Sequence, residues 1–214
     1  MQWHDPRTIE ISRRHSLLDL ILFENAWGEQ HPREIFRLLH EIDGCRSLLE
    51  IGSRDGDTLL WLALGCNTGA MIHSIDVGDH LRTEYDGIET HHQTKLAERI
   101  NALHKFGFDA KLFIADSRSK TAVDWARQHA PYEWIFIDGD HAYNTVRSDW
   151  ENYRKFGRKI ALHDIANPRF GVMQLWNEIR HSNPTREIIA ETLLGKNAYF
   201  GIGIVKGWYG GKGN

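Results

Sequence analysis

Apolar and polar positions change their spacing along this chain in a regular order. From Ser47 onward, short apolar runs alternate with longer segments in which apolar residues recur every three or four positions. The short runs predict strands at 47–53, 71–77, 110–116, 134–139 and 159–165. The longer segments predict helices at 57–65, 91–106, 119–129, 143–156 and 171–181. Such alternation is typical of βαβ units, so we expect an α/β fold, with a mostly parallel, doubly wound sheet and helices on both faces.

The two ends of the chain differ from this alternating middle. Residues 1–46 have helical apolar spacing in two places and predict an N-terminal helical cap segment. Two strand-like runs at 186–192 and 199–205 predict an antiparallel hairpin, which brings the sheet to seven strands. The glycine-rich residues 207–214 predict a flexible tail. We therefore expect one structural domain, with residues 47–206 as its main part.

Composition narrows the class of protein. The chain has 214 residues, 41% of them hydrophobic and 26% charged, which is ordinary for a soluble globular domain. A formal net charge of −3 gives no basic surface, so we expect no nucleic-acid partner. No stretch approaches the ~20 apolar residues that span a bilayer, so we expect no membrane partner. Two cysteines are too few for a disulfide framework, which favours the cytoplasm, and thirteen histidines raise the question of metal binding.

A pair of glycines directly follows the first predicted strand. The apolar run that begins at Ser47 reaches the acidic Glu50, and Gly52 and Gly56 come next, before a helix start. Glycine lets backbone N–H groups approach a ligand closely because it has no Cβ to block the way. The spacing lacks the Gly-x-Gly-x-x-Gly pattern of dinucleotide sites and the lysine of phosphate-binding loops. We therefore expect a nucleoside-type ligand without a strong requirement for pyrophosphate.

Acidic residues stand where successive predicted strands end, and ligands of open parallel sheets bind beyond those ends. Asp76 follows Gly52 by 24 residues, close to the ~20-residue offset at which an acid meets ribose hydroxyls. The alternative for Asp76 is a cap on the next helix. Asp116 could accept from an adenine amino group while Ser117 donates its backbone N–H to a ring nitrogen. Helix capping by Ser117 is the rival interpretation.

A second group of candidate functional residues follows the fourth predicted strand. Apolar residues end abruptly at Asp138, Asp140 and His141, and the next strand ends at His163 and Asp164. Carboxylates with one or two imidazoles suit a divalent ion such as Mg²⁺ or Mn²⁺, or a general base beside one. Since histidine has a pKa of about 6.5, His141 is suited to take a proton from a substrate hydroxyl. The alternative is that one carboxylate touches a cofactor, another caps the next helix, and the histidines only line the cleft.

Several segments together match a known family. They are 49–56, 75–77, 115–117, 136–143, 161–165, 171–176 and 201–204. The most specific part is the run Asp-Gly-Asp-His-Ala-Tyr at 138–143. Across residues 45–206 the chain resembles the class I S-adenosylmethionine-dependent methyltransferases, which have a Rossmann-like sheet. It is most similar to methyltransferase family 24, the branch related to cephalosporin-hydroxylase-like and macrolide sugar O-methyltransferases.

The resemblance implies roles for the residues at the strand ends. S-adenosyl-L-methionine is the implied cofactor, with contacts at Glu50, Gly52, Ser53, Arg54, Gly56, Asp76, Val77, Asp116, Ser117 and Asp138. Asp138 and Asp164, with His163 beside them, match the positions that hold a divalent ion, Mg²⁺ or Mn²⁺, in metal-dependent relatives. His141 matches a histidine that resembles the base of the sugar-methylating relatives. His141 and Asp138 are therefore the implied catalytic residues.

The chain also departs from the family pattern. Arg54 stands where glycine is commoner. His163 precedes Asp164 where some metal-binding relatives carry an acid, which weakens the magnesium inference. The Asp/Asn-Pro-Pro-Tyr/Phe motif of amino-group nucleic-acid methyltransferases is missing after the fourth predicted strand, so base methylation is not expected.

The resemblance thus implies O-methylation of a small, polar, hydroxylated acceptor molecule. Residues 27–31, which include Trp27, would cover the pocket for this acceptor. A homo-oligomer is compatible with the sequence. One alternative function is a non-catalytic domain that binds the cofactor or a nucleoside as a scaffold or partner subunit. A nicotinamide-dependent dehydrogenase is a further alternative, which the glycine spacing disfavours.

Overall fold

The computed structural model describes residues 6–26, 30–78, 92–189 and 200–206. These residues form seven strands: β1 Cys45–Ile51, β2 Cys66–Asp76, β3 Asp109–Ile114, β4 Tyr132–Ile137, β5 Gly157–Leu162, β6 Thr185–Ile188 and β7 Ile202–Lys206. They also form seven helices: α1 Pro6–Phe23, α2 Pro32–Ile42, α3 Asp57–Leu64, α4 His92–Lys105, α5 Lys120–His129, α6 Tyr143–Tyr153 and α7 Gly171–Ser182. The predicted turn at 193–198 and the predicted tail at 207–214 lie outside the described residues.

All seven strands lie in one sheet, in the order β3-β2-β1-β4-β5-β7-β6. Strands β1 to β5 pair in parallel, whereas β7 is antiparallel to both β5 and β6. β1 lies between β2 and β4, where the strand order reverses, and ligands of open sheets bind at such a switch point. The predicted fold class is therefore confirmed: a doubly wound, mostly parallel seven-stranded sheet with antiparallel C-terminal strands.

Helices cover both faces of the sheet, and the sequence of the strands explains why. In β1, Leu48 belongs to a buried apolar cluster with side chains of α1, α2, α3 and α4. The next residue, Leu49, belongs to a second cluster with side chains of α5, α6 and α7. Phe136 and Ile137 of β4 divide between the two clusters in the same way. Because successive side chains of a strand point to opposite faces, a continuous apolar run buries both faces.

Strands β1 to β6 begin and end earlier than their apolar runs predict, whereas β7 begins and ends later. β2 begins at Cys66, where it pairs with Cys45 of β1, rather than at residue 71. Residues 67–69, which follow this pair, are not buried, so the hydrophobic pattern misses the first part of the strand. β1 ends at Ile51, because Gly52 has a φ of +83° and leaves the extended region. Of the polar residues predicted at strand ends, Glu50 and Asp76 lie within β1 and β2, and the others lie in the loops that follow the strands.

The N-terminal helices pack against the main sheet. Leu17 of α1 and Leu38 of α2 are buried in the cluster that contains Leu48. Arg13 donates a 2.8 Å hydrogen bond to the backbone oxygen of Cys66 at the start of β2. The division into cap, main part and tail stays a prediction. The described part of the chain includes no helix that is both long and apolar enough to cross a membrane.

Candidate active site

The loops after β1, β4 and β5 meet at the carboxyl edge of the sheet. Ile51 and Ile137 are register partners in β1 and β4. The pairing continues past the strand ends, because Asp138 donates its backbone N–H to Ile51 at 2.9 Å. His163 likewise donates its backbone N–H to Ile137 at 3.1 Å. These bonds place the residues that follow the three strands side by side.

The glycine turn after β1 is built by close backbone packing. A Cβ on Gly52 would lie 2.3 Å from the α-carbon of Gly139, in the loop after β4. Gly56 has a φ of +80°, and a Cβ there would lie 2.9 Å from the side chain of Leu96 on α4. Arg54, between the two glycines, also has a positive φ, of +51°. The turn therefore requires glycine at two positions for steric reasons.

Glu50 is a fully buried carboxyl group at the end of β1. One oxygen accepts a hydrogen bond from the hydroxyl of Ser53, and Ser53 in turn accepts one from Ser74 at 2.7 Å. Among the described residues, the other oxygen of Glu50 has no hydrogen-bond partner. Burial raises the pKa of Glu50 well above its usual range, Ser53 lowers it in part, and the charges of Asp138 and Asp76 raise it further. A cationic ligand would relieve this crowding of acidic groups.

Asp76 connects the end of β2 to the glycine turn. Its two carboxylate oxygens accept backbone N–H groups, one from Arg54 at 2.8 Å and one from Gly78 at 2.9 Å. Val77, between Asp76 and Gly78, is partly buried. The carboxylate therefore holds the glycine turn in place.

The loop after β3 is attached to α6 through Ser117. The Ser117 hydroxyl donates a 2.6 Å hydrogen bond to Asp149, and the Tyr153 hydroxyl donates one of the same length to the Ser117 backbone oxygen. The residue that caps α5 is Ser119, whose hydroxyl accepts from Ala122. The rival interpretation of Ser117 as the helix cap is therefore wrong. Burial raises the pKa of Asp149 to about 7, although Ser117 lowers it in part.

Asp116 lies beside Ser117 but points to the surface. Its carboxylate makes a two-pronged ion pair with the guanidinium of Arg118, at 2.9 and 2.6 Å. The hydrogen bonds from Arg118 lower the pKa of Asp116. If Asp116 contacted an adenine, its carboxylate oxygens would accept hydrogen bonds from both the adenine and Arg118.

Two aspartates and two histidines converge beyond β4 and β5, and we call Asp138, His141, His163 and Asp164 the Asp–His cluster. Nδ1 of His163 lies 3.1 Å from Oδ1 of Asp138 and 3.5 Å from Oδ2 of Asp164. Nε2 of His141 lies 3.2 Å from Oδ2 of Asp164 and 3.6 Å from Oδ1 of Asp138. The structure thus brings all four predicted residues together. Asp140 instead faces outward and accepts the backbone N–H of Ala142 at 2.9 Å.

Charge dominates the Asp–His cluster. Burial by itself lowers the pKa of His163, but the charge and hydrogen bond of Asp138, together with Asp164, raise it to about 10. Burial by itself raises the pKa of Asp138, but the charges of His163 and His141 and the hydrogen bond with His163 hold it well below its usual range. The pKa of His141 is raised as well, because Asp138 and Asp164 outweigh its burial. His141 is therefore a stronger base than a free imidazole.

The start of α7 holds His141 in place. The ring of Phe170 stacks on the imidazole of His141, with centroids 4.3 Å apart and planes 16° apart. Gly171 donates its backbone N–H to the His141 backbone oxygen at 2.9 Å. A Cβ on Gly171 would lie 2.2 Å from the backbone nitrogen of Tyr143, so the two loops touch directly. The sequence analysis placed Gly171 only within the family segment 171–176, without a role, and did not single out Phe170.

Gln30 reaches the site from the N-terminal segment, and the sequence analysis did not single it out. Its side-chain amide donates a 2.6 Å hydrogen bond to Oδ2 of Asp138. His31 and His163 both lie beside the ring of Phe200, with centroids 6.2 and 6.0 Å away. No local sequence pattern predicts the contact between Gln30 and Asp138, since they are 108 residues apart. Trp27, predicted to cover an acceptor, lies outside the described residues.

This sheet order, with its glycine turn and C-terminal antiparallel strands, is the fold of class I methyltransferases. The model of methyltransferase family 24, described as a methyltransferase domain, matches residues 49–165. That match covers more than half of the chain, and the protein belongs to this family. A search of curated protein sequences finds no match to the chain.

Solved structures share the fold at low sequence identity. An O-methyltransferase from Bacillus cereus, in complex with S-adenosylhomocysteine (SAH), is 20% identical, with a TM-score of 0.57, over 91% of this chain and 90% of that one. The O-methyltransferase TomG from Streptomyces achromogenes, involved in tomaymycin synthesis and bound to S-adenosylmethionine (SAM), is 15% identical, with a TM-score of 0.57, over 83% and 80% of the two chains. An rRNA methylase from Streptococcus thermophilus is 11% identical, with a TM-score of 0.56, over 83% and 97%. The same fold thus occurs in enzymes with different acceptors.

Proposed function

We propose that this protein transfers the methyl group of SAM to a hydroxyl oxygen of a small polar acceptor. The observation that carries the proposal is the buried carboxyl group of Glu50, which lies beside the glycine turn with one oxygen unpartnered among the described residues. A buried acid near Asp76 and Asp138 suits a ligand that is cationic, as the sulfonium and ammonium groups of SAM are. Family membership and two fold relatives bound to SAM or SAH support the same ligand.

The residues at the strand ends fit the parts of SAM in order. Glu50, Gly52, Ser53, Arg54 and Gly56 would hold the methionine part through the glycine turn. Asp76, with Val77 beside it, would accept the ribose hydroxyls. Asp116 and Ser117 would contact the adenine, and Asp138 would lie near the methyl group. When bound, SAM supplies an electrophilic methyl group on a positively charged sulfur.

The chain itself would align the acceptor and remove its proton. Methyl transfer forms a C–O bond and breaks a C–S bond, so the acceptor hydroxyl must lose a proton. Nε2 of His141 would take that proton, since Phe170 and Gly171 fix its ring and Asp138 and Asp164 stabilise its charged form. Gln30 and His31 would form the N-terminal side of the acceptor pocket. Alignment of the two reacting atoms would supply much of the rate.

A divalent ion could assist at the same place. Asp138 and Asp164 would bind Mg²⁺ or Mn²⁺ through carboxylate oxygens, with His163 as a neighbouring ligand. Ligand atoms of Asp138, His141 and Asp164 lie within 4.8 Å of one another, which fits an ion among them. A bound ion would lower the pKa of an acceptor hydroxyl.

The net charge of −3 and the missing base-methylation motif support a small molecule rather than nucleic acid as the acceptor. A cytoplasmic location and a homo-oligomer stay predictions. The prediction of a cytoplasmic location rests on the two cysteines, which form no disulfide.

The test uses purified full-length protein. Calorimetry with SAH measures cofactor affinity, and radiolabelled SAM measures methyl transfer to a panel of hydroxylated metabolites, with and without Mg²⁺ and Mn²⁺. We expect SAH to bind and at least one hydroxyl compound to be methylated. No SAH uptake at millimolar concentration would overturn the whole proposal. SAH binding without transfer to any acceptor would instead favour the non-catalytic scaffold, and transfer only to RNA would contradict the small acceptor.

A further inference from the structure

Two consecutive turns of α6 hold one residue of the loop after β3. Asp149 and Tyr153 are four positions apart on this helix, so their side chains lie on the same face. Both residues are buried, with 1% and 0% of their surface exposed. Asp149 accepts the hydroxyl of Ser117, and the hydroxyl of Tyr153 donates to the backbone oxygen of Ser117, each at 2.6 Å. Ser117 is therefore fixed both by its side chain and by its backbone.

These two bonds leave the backbone N–H of Ser117 available. The next two residues of the loop donate their N–H groups within the loop itself. Arg118 donates to the carboxylate of Asp116 at 2.8 Å, and Ser119 donates to the backbone oxygen of Asp116 at 2.9 Å. The N–H of Ser117 has no hydrogen-bond partner within the described ranges. A backbone N–H that is held in position and has no such partner is well placed to donate to a ligand.

Asp149 also fixes where this donor lies in the cleft. Oδ1 of Asp149 accepts from Ser117, while Oδ2 lies 3.7 Å from the position that a Cβ on Gly139 would take. Asp149 thus lies between the loop after β3 and the loop after β4. Gly139 in turn packs against Gly52 in the glycine turn. A purine bound beyond these strand ends would therefore meet the N–H of Ser117 in a fixed position.

We propose that Asp149 and Tyr153 are positioning residues that act through Ser117 and make the cofactor site select adenine over hypoxanthine. The inference rests on the proposed function, in which Ser117 contacts the adenine. In adenine, the ring nitrogen beside the amino group accepts a hydrogen bond, whereas in hypoxanthine the same nitrogen carries a hydrogen. Hypoxanthine would thus bring its own donor against the N–H of Ser117. A firmly held N–H would reject hypoxanthine, and a loosely held one would turn away and tolerate it.

The experiment compares the affinity of purified full-length protein for SAH and for S-inosylhomocysteine, its deaminated analogue, by calorimetry. The parent protein should bind SAH more tightly. Tyr153→Phe removes one hydroxyl, and a neutral hydrogen bond is worth about 2- to 10-fold in an equilibrium constant. The preference for SAH should therefore fall by a factor in that range. Asp149→Ala should also lower the preference, whereas Asp149→Asn, which keeps an oxygen for the hydroxyl of Ser117, should retain it.

Tyr132→Phe is the matched control. Tyr132 is also fully buried, and its hydroxyl lies 2.9 Å from Nδ1 of His73, but it begins β4, at the opposite edge of the parallel sheet from Ser117. This variant should keep the preference of the parent protein. A merely structural role of Tyr153 would weaken the binding of both ligands by the same factor. Circular dichroism checks that each variant folds, and Tyr153→Phe decides alone if Asp149→Ala does not fold.

Four results would overturn the inference and leave the methyltransferase proposal intact. They are equal affinity of the parent protein for SAH and its analogue, an unchanged preference in folded Tyr153→Phe, an equal loss of preference in Tyr132→Phe, and a loss in Asp149→Asn as large as that in Asp149→Ala. A parent protein that binds neither compound would instead overturn the proposed function, and the inference with it. The two failures are therefore distinguishable.

Discussion

The α-carbon of Gly139 lies where a methyl group on Gly52 would have to go, only 2.3 Å away. The loop after β1 therefore rests directly on the loop after β4, backbone against backbone. The first loop would hold the cofactor, and the second leads from Asp138 to His141. This contact sets the distance between the two parts of the proposed active site.

Replacing Gly52 with alanine should separate the two loops. Positive φ alone costs an alanine about 1–2 kcal/mol, and the clash with Gly139 adds to that cost. Gly69 is a matched control, because its φ is +78° and nothing lies within 4 Å of an added Cβ. We expect Gly52→Ala to lose SAH binding and more stability than Gly69→Ala, measured by calorimetry and urea denaturation. Equal losses in the two variants would contradict the packing argument.

Asp76 should contribute to cofactor affinity through the ribose. Hydrogen bonds to a charged group are worth about 1.5–3 kcal/mol, so Asp76→Ala should weaken SAH binding by about 10- to 100-fold. Asp109→Ala, at the exposed start of β3, is the control. Since Asp76 also holds the glycine turn, denaturation must accompany the calorimetry. SAH affinity equal to that of the parent protein would exclude the ribose role.

His141 should affect the reaction and not cofactor binding. A general base contributes about 10²- to 10⁴-fold to a rate, and His141→Ala should lose that factor in methyl transfer while SAH affinity stays unchanged. The matched variant His104→Ala, at an exposed position of α4, should keep both the rate and the affinity. The measurement is the rate of methyl transfer at saturating SAM in metal-free buffer. Full activity in His141→Ala would remove this residue from the mechanism.

Asp149 should make the fold less stable as the pH rises from acid to neutral. Its pKa rises from an ordinary value of 3.8 to about 7 in the folded protein, chiefly because the carboxyl is buried. A raised carboxyl pKa favours folding below pH 3.8, and this contribution is lost as the pH increases from about 4 to above 7.

Asparagine cannot ionise and keeps an oxygen that can accept the hydroxyl of Ser117. At about 1.4 kcal/mol per pKa unit, Asp149→Asn should raise the free energy of unfolding at pH 8 by at most about 4 kcal/mol. At pH 4 it should change little, and Asp109→Asn should change little at either pH. Urea denaturation at both pH values measures the difference. A variant that is less stable than the parent protein at pH 8 would contradict the burial argument.

Much of the fold could be predicted from the sequence, because buried apolar residues recur at the regular spacing of a strand or a helix. The apolar run of β4 predicted a strand buried on both faces, and Trp134–Ile137 alternates between the two clusters as expected. Strand bounds were less accurate at β2, where residues 67–69 are not buried and the register with β1 is irregular. The role of a residue that depends on one hydrogen bond could not be predicted either. Ser117 and Ser119 have similar local sequence but different hydrogen-bond partners.

The sequence by itself determined the alternation of strands and helices, the glycine turn and the position of acids at strand ends. These features depend on neighbours within one turn or one strand, so a linear pattern records them. Only the tertiary structure decided which of those acids meet. The strand order places Asp138 beside His163. Gln30 joins them from the N-terminal segment. Asp140 and Asp116 instead face outward. Such contacts join residues far apart in the chain, and their energy depends on burial and charge that exist only after folding.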